Sequence, residues 1–135
     1  MNENPVSVVV FYDISHKLLM HKRKSSPEKW AFIGGGIKTK EDPLVAAKRE
    51  VQEELGYEAK NLRFFRKYEV SRAGDISAVY VYIAPFPGFD QFHHTKEGDI
   101  RSDLHLVTIE QAKTLPSFPV AYQIMEDVVN FLNRA

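Results

Sequence analysis

Residues 35–57 read GGIKTKEDPLVAAKREVQEELGY, and the second half of this stretch predicts an amphipathic helix with acids gathered on one side. A helix advances by about 100° per residue, so the side chains of Glu50, Glu53 and Glu54 fall within about 100° of arc. A separate arc is apolar and would face a core. Its members are Leu44, Ala47, Val51 and Leu55.

The charge pattern of this helix conflicts with local helix rules. Glutamates three or four positions apart repel each other by about 0.2–0.5 kcal/mol per pair, and carboxylates near the C-terminal end face the negative end of the helix dipole. Such conflicts tend to mark functional sites. A divalent cation such as Mg²⁺ prefers carboxylate oxygens and would turn the repulsion into binding. The alternative interpretation is an ordinary solvated acidic face.

The residues around the three glutamates have roles that follow from their chemistry. We expect Asp42 to cap the helix and Pro43 to fill its first position, where the missing N–H costs nothing. Gly56 is expected to end the helix. Arg49 is expected to pair with Glu41 or with one of the three glutamates and to hold it in place. The alternative for this arginine is an exposed surface cation.

Three consecutive glycines, Gly34, Gly35 and Gly36, follow a short apolar stretch that reads as a strand. We expect a loop here, because glycine permits positive φ and a close approach of the backbone to a ligand. The Gly34 carbonyl would be a further metal ligand, and Gly35 and Gly36 would lie against the substrate. A plain tight turn is the alternative.

Basic residues flank the glycines. Arg23 lies in a basic stretch before them and Lys38 lies just after them. Both are candidates for attracting the phosphates of an anionic substrate. A solvated loop is the alternative for the basic stretch.

The wider pattern is a glycine, five residues, a glutamate, seven residues and then REVQEELGY. This sequence resembles the signature of the Nudix hydrolases, the family of MutT-like proteins, and every fixed position of that signature is present. The matching residues are Gly35, Glu41, Arg49, Glu50, Val51, Glu53, Glu54, Gly56 and Tyr57.

The resemblance implies a function and a fold. The implied reaction is attack by water on a pyrophosphate bond in a nucleoside diphosphate linked to another moiety, with Mg²⁺ or Mn²⁺ as cofactor. The implied fold class is α+β, an α/β/α sandwich with a mixed β-sheet between helices, in one domain over residues 1–135. The expected partner is a small-molecule nucleoside diphosphate derivative, and a homodimer is left open.

The resemblance also implies roles for single residues. Glu50, Glu53 and Glu54 would hold the metal, and Arg49 would orient a glutamate. The base would be Glu50, Glu53 or an acid of the long segment 87–103, where similar proteins often place one. Three acids of this segment are candidates, with Asp99 preferred for catalysis: Glu97, Asp99 and Asp103.

Two departures from the usual family pattern bear on the substrate. Ile33 precedes the glycines where proline is common, and Lys38 and Lys40 stand where a glutamate and a glycine are common. Residues 71–75 also lack the marks of subfamilies that act on ADP-ribose or on diadenosine polyphosphates. The substrate classes that remain are nucleoside triphosphates, nucleotide sugars and similar small diphosphates.

Composition narrows the class of protein. The chain has 135 residues, 44% of them hydrophobic and 27% charged, as in ordinary globular domains. It has no cysteine, which excludes disulfides, thiolate catalysis and cysteine zinc sites. No signal-peptide pattern or membrane-length apolar run is present, so we expect a cytoplasmic protein without a membrane partner.

Two other functions stay open from the sequence. One is a catalytically inactive Nudix-fold module that binds a nucleotide without cleaving it. The other is an RNA 5′-end pyrophosphohydrolase. The 18 basic and 18 acidic residues give a formal net charge of zero, which disfavours nucleic acid as a partner because phosphate backbones are bound mainly through excess positive charge.

Strand and helix patterns complete the expectation. The sequence predicts a short helix near Ile109–Thr114, capped by Thr108, and a final amphipathic helix. The predicted ranges are strands at 6–12, 18–23, 62–71, 76–86 and 104–108, and the final helix at 119–133.

Overall fold

The computed structural model describes residues 4–23, 28–72, 74–93, 95 and 103–134. Within these ranges the chain forms seven strands and three α-helices, with one 3₁₀ turn at Phe89–Gln91. In chain order they are β1 (Val6–Tyr12), β2 (Leu18–Lys22), β3 (Trp30–Ala31), β4 (Ile33–Gly36), α1 (Pro43–Leu55), β5 (Arg63–Arg72), β6 (Asp75–Pro85), β7 (Leu104–Val107), α2 (Ile109–Ala112) and α3 (Pro119–Arg134).

The strands form one mixed sheet in the order β3-β2-β1-β6-β5, with β4 added beside β1 and β7 beside β2. β1 and β6 are parallel, and the other pairs are antiparallel. One edge of β1 is shared, because residues Val6 to Val9 pair with β4 while Tyr12 pairs with Leu18 of β2. The sheet therefore forks along this edge of β1.

The two faces of the sheet are buried by different helices. Val10 packs in one cluster with Ile124 and Val128 of α3, whereas Val9 packs in another with Val51 and Leu55 of α1. Neighbouring residues of a strand point to opposite faces, so α1 and α3 lie on opposite sides. The expected α/β/α sandwich with a mixed sheet is confirmed.

The limits of α1 agree with the capping signals in the sequence. Asp42 accepts a hydrogen bond from the N–H of Leu44 at 2.8 Å, and Pro43 is the first helical residue. Gly56 ends the helix with φ of 60°, in the left-handed region that glycine adopts readily. The buried hydroxyl of Ser7 donates to the Pro43 carbonyl at 2.8 Å and ties the start of the helix to β1.

A short segment crosses the C-terminal end of α1. The N–H of His93 donates to the Leu55 carbonyl at 2.7 Å, and the Thr95 hydroxyl donates to the Glu53 carbonyl at 2.6 Å. The segment comes so close that a β-carbon on Gly56 would lie 2.6 Å from the His93 carbonyl oxygen. The glycine thus permits both the helix end and this crossing.

The three glycines do not form the expected loop. Gly34 to Gly36 belong to β4 and pair with residues Val6 to Val8 of β1. The reason is the close approach of the two strands, since a β-carbon on Gly34 would lie 2.3 Å from the Ser7 carbonyl oxygen. Elsewhere the predicted strands are present with ends shifted by about one residue, as is usual for such limits.

The described part of the chain contains no helix long and apolar enough to cross a bilayer.

Candidate functional site

Arg49 is the centre of an ion-pair network on the polar side of α1. Its Nε and Nη2 donate to the two carboxylate oxygens of Glu41 at 2.8 and 3.0 Å. Its Nη1 donates to Glu53 at 2.9 Å and to Glu50 at 3.2 Å. Nη2 also reaches the Gly36 carbonyl at 2.8 Å. One guanidinium therefore joins three carboxylates to the glycine strand.

Glu41 is held as a carboxylate by this network. Its side chain is only 11% exposed. The hydrogen bonds from Arg49, and one from the Lys38 backbone N–H, lower the pKa of Glu41 from 4.5 to about 2. The same contact with Glu41 raises the pKa of Arg49. Both groups stay charged at neutral pH, and the pair anchors the residues around it.

Glu54 connects α1 to β4. Its Oε1 accepts a hydrogen bond from the N–H of Gly34 at 2.8 Å. Burial raises the pKa of Glu54 to about 8, and the nearby carboxylates of Glu50 and Glu53 add to the rise. In the protein alone, the charged form of Glu54 is therefore disfavoured at neutral pH.

Glu50 fits against Gly35. A β-carbon on Gly35 would lie 2.5 Å from Glu50 Oε2, so only glycine leaves room for this carboxylate. Burial raises the pKa of Glu50, and the charge of Arg49 opposes the rise. Each glycine of β4 thus meets a different residue of the helix: Gly34 meets Glu54, Gly35 meets Glu50, and Gly36 meets Arg49.

The three glutamates offer only carboxylate oxygens, the donors that a hard cation such as Mg²⁺ prefers. Burial raises the pKa of Glu50 and of Glu54, which is the direction expected where a nearby cation would favour the charged carboxylates. Among the described residues, however, no three acidic, histidine or cysteine side chains converge as ligands of one ion. The donor chemistry fits a divalent cation, while the carboxylates are arranged around Arg49 and Gly34.

A cavity of about 490 Å³ opens beside Glu54. Its floor is the sheet and its roof is the first half of α3, and the volume lies in the range of small-molecule sites. Gly34, Gly35 and Glu54 belong to its lining, so the cavity and the glutamates share one edge. The walls are mainly apolar and include Val6, Val8, Val70, Val79, Val120 and Ile124.

Polar side chains line the cavity in only a few places. Burial, and then the charge of Arg23, lower the pKa of His21, so this imidazole is neutral at pH 7. Arg23 lies at the cavity with its guanidinium carbon 5.4 Å from the centre of the Phe118 ring. Lys29 Nζ lies 4.6 Å from the same ring. A cationic rim therefore borders an apolar interior.

Phe118 is fixed by the segment before α3. The N–H of Trp30 donates to the Pro116 carbonyl at 2.8 Å, and the Ser117 hydroxyl donates to the Trp30 carbonyl at 2.6 Å. This segment therefore extends the sheet beside β3 and holds the ring at the cavity. Sequence patterns gave no signal for the role of Phe118, because its placement depends on contacts with residues far away in the chain.

The structure brings together most of the residues singled out from the sequence. Glu50, Glu53, Glu54, Arg49 and the three glycines form one cluster, and Arg23 borders the adjoining cavity. Lys38 is exposed and contributes its backbone N–H to Glu41. Glu97 and Asp99 lie outside the described residues. Asp103 is described and lies immediately before β7, near His21.

Comparisons with known sequences agree with this arrangement. The sequence model of one family, described as the NUDIX domain, matches residues 1–128. Among curated proteins, a CMP-5'-(N-acetyl-N-hydroxy-3-aminopropyl)phosphonate hydrolase from Streptomyces rubellomurinus is 32% identical over 81 residues. The match spans 58% of this chain and 39% of that protein, well under half of its length.

Solved structures share the fold over almost the whole chain. The E. coli ORF135 protein matches with a TM-score of 0.75 and 24% identity over 96% of this chain and 91% of that one. A C. elegans Ap4A hydrolase in a binary complex gives 0.77 and 17% over 98% and 100%. The NUDIX domain of Shewanella oneidensis NrtR, complexed with ADP ribose, gives 0.77 and 16% over 98% and 90%.

Proposed function

The chain belongs to the Nudix family, and from that premise we propose that it hydrolyses the pyrophosphate bond of a nucleoside diphosphate linked to another moiety. The cofactor is Mg²⁺ or Mn²⁺. One observation carries the proposal: Glu54 and Gly34 belong both to the carboxylate cluster and to the lining of the cavity. The phosphates attached to a nucleoside bound in the cavity would therefore lie next to the carboxylates.

Glu50, Glu53 and Glu54 hold the cation in this proposal, with the Gly34 carbonyl as a further oxygen ligand. When bound, a divalent cation neutralises phosphate charge and lowers the pKa of a coordinated water. Arg49 keeps Glu50 and Glu53 in place through its contacts at 3.2 and 2.9 Å. Such support of metal ligands typically affects activity by about 10–100-fold.

A carboxylate takes the proton from the attacking water. Glu50 and Glu53 are the candidates among the described residues, and Glu53 is the more accessible, with 35% of its side chain exposed against 14% for Glu50. Asp99 stays a candidate from the family resemblance. Variants at the three positions would separate them through the acid limb of the pH–rate profile.

The substrate is a small nucleotide derivative in this proposal. The apolar walls of the cavity suit a nucleoside, and Arg23 at its rim suits a phosphate, with Gly35 and Gly36 on the way to the carboxylates. Lys38 adds positive charge nearby. The relatives named for a CMP derivative and for Ap4A support a nucleotide derivative as substrate class.

A substrate panel tests the proposal. Nucleoside triphosphates, nucleotide sugars and related diphosphates are incubated with Mg²⁺ or Mn²⁺, and the release of phosphate and of pyrophosphate is measured separately. We expect hydrolysis of at least one compound and its loss with a chelator. Saturable binding without product from any compound would instead identify a nucleotide-binding module.

The Glu53→Gln variant links the activity to the carboxylate cluster. It removes one charged ligand while the partly exposed side chain keeps its shape, so the rate should fall by about three orders of magnitude without loss of folding. Glu58→Gln is the matched control, because Glu58 is exposed and lies outside the network. Near-full activity of Glu53→Gln would reject Glu53 as a ligand.

A further inference from the structure

Asp127 on α3 joins the helix to the neighbouring strand β5. Its Oδ2 accepts hydrogen bonds from the Tyr68 hydroxyl at 2.6 Å and from Arg66 Nη1 at 2.9 Å. Its Oδ1 accepts from Gln123 Nε2, one turn earlier on the helix, at 3.0 Å. We call Arg66, Tyr68 and Asp127 the clasp. It is a polar bridge between two elements that also meet through apolar side chains.

The contacts of the clasp are charge-assisted. The Asp127 side chain is 17% exposed, and the Tyr68 hydroxyl donates to it across a half-buried interface. Burial, and then the bond to Asp127, raise the pKa of Tyr68, so the phenol remains a donor at neutral pH. Hydrogen bonds to a carboxylate are shorter, stronger and more directional than neutral ones.

The clasp lies next to two walls of the cavity. Val70 follows Tyr68 by two residues on the same face of β5, and Ile124 lies three residues before Asp127 on the same side of α3. Both Val70 and Ile124 line the cavity. The hydrophobic effect is non-directional, whereas the hydrogen bonds of the clasp are directional and favour one position of α3 against β5.

We propose that the clasp positions α3 so that the cavity keeps one width, and that Tyr68 and Asp127 thereby determine which nucleosides fit. This inference rests on the proposed function, since it assigns the cavity to the nucleoside. Neither residue touches the carboxylate cluster in the described structure. Their loss should therefore weaken binding and selectivity while the chemical step is retained.

Tyr68→Phe and Asp127→Asn test the inference. For each variant we would measure kcat and KM for the best substrate, and the dissociation constants of CMP, UMP, AMP and GMP without a metal. We expect KM and the dissociation constant of the preferred nucleotide to rise about tenfold, with kcat within about twofold, as when binding is lost equally in ground and transition states. The dissociation constants of the four nucleotides should also differ less from one another than they do in the wild type.

Leu132→Ala is the matched control. Leu132 is a buried residue of α3, 7% exposed, that packs in the same cluster and does not line the cavity. Its truncation should lower the melting temperature at least as much as Tyr68→Phe and leave the nucleotide affinities unchanged. The double variant Tyr68→Phe/Asp127→Asn should bind nucleotides no more weakly than the single variant with the lower affinity, because both substitutions weaken the same Tyr68–Asp127 hydrogen bond.

The outcomes are distinct. Clasp variants that melt at a lower temperature but bind all four nucleotides as the wild type does would overturn the inference, and so would a wild-type protein that binds none of them. Absence of hydrolysis across the substrate panel would instead refute the proposed function. The binding titration tests the role of the clasp even if no compound is hydrolysed, because it requires no turnover.

Discussion

The carboxylate of Glu50 lies directly over the α-carbon of Gly35, where an added β-carbon would be 2.5 Å from Oε2 and 2.6 Å from Oε1. At Gly36, one residue further, no atom of the described residues lies within 4 Å of such a β-carbon. Neither glycine has a positive φ. An alanine at position 35 would therefore collide with Glu50, whereas an alanine at position 36 would add the same methyl group to β4 without this collision.

Gly35→Ala should displace Glu50 by a fraction of an ångström or more and lower kcat/KM by about 100-fold, the usual order for such a misplacement near the reaction. Gly36→Ala should lose much less activity than Gly35→Ala, because its added methyl group meets no atom of the described residues and can affect only the approach of the substrate. Steady-state rates of both variants, with circular dichroism to verify folding, provide the measurement. A Gly35→Ala variant as active as wild type would show that the position of Glu50 has no influence on the rate.

Glu41→Gln should destabilise the metal-free protein in a pH-dependent way. The pKa of Glu41 falls from 4.5 to about 2 on folding because of its bonds to Arg49 and the Lys38 backbone. A carboxylate with a lowered pKa contributes its full stabilisation above pH of about 4.5 and loses it as the pH falls toward 2. The melting temperature of Glu41→Gln should thus lie a few degrees below wild type at pH 7.

Melting curves in a chelator at several pH values between 7 and 3 would show the two proteins converging as the pH falls. Glu58→Gln, at an exposed position outside the network, should differ little from wild type throughout. If the melting temperatures of Glu41→Gln and wild type differed as much at pH 3 as at pH 7, the ionised Glu41–Arg49 pair would be ruled out as the cause.

Arg49→Lys should show that the planar shape of the guanidinium is required. Arg49 makes five hydrogen bonds, two of them to Glu41, and a lysine ammonium cannot reproduce this fork. We expect kcat to fall about 10–100-fold and more Mg²⁺ to be needed for half-maximal rate. The exposed neighbour Lys48 gives the control Lys48→Met, which should be as active as wild type.

Gly56→Ala should destabilise the fold more than Gly74→Ala. Both glycines have positive φ, 60° and 86°, and an L-residue there costs about 1–2 kcal/mol. At Gly56 the added β-carbon would also lie 2.6 Å from the His93 carbonyl oxygen, whereas at Gly74 the described residues leave open space. Chemical denaturation measures the free energy of unfolding of both variants. Equal losses of unfolding free energy would mean that the chain at His93 moves aside freely.

The helix and its acids could be predicted because their signals are local. Asp42, Pro43 and Gly56 mark its ends within a few residues of the backbone groups that they satisfy. The spacing of Glu50, Glu53 and Glu54 places them together in any helix. The contacts of Arg49 with Glu41 also follow from the same short stretch, since the two residues lie eight positions apart.

The glycine strand and the cavity could not be predicted in this way. Gly34–Gly36 resembles a turn by composition, and its pairing with β1 depends on residues nearly thirty positions earlier. Val70 and Ile124 read as ordinary core residues, and only the packing of α3 over β5 places them around a cavity. The clasp joins Tyr68 to Asp127 across 59 positions, a separation that no local pattern reports.

The fork at β1 has a consequence for how such chains diversify. The three glutamates belong to α1, which lies beside β4, whereas one wall of the cavity is formed by the last stretch of the chain, on the opposite face of the sheet. If the cavity holds the nucleoside as proposed, exchanging residues 116–134 for the equivalent segment of another family member should change which base is preferred. The glutamates of α1 lie outside the exchanged segment, so the proposed reaction should be retained while the substrate changes.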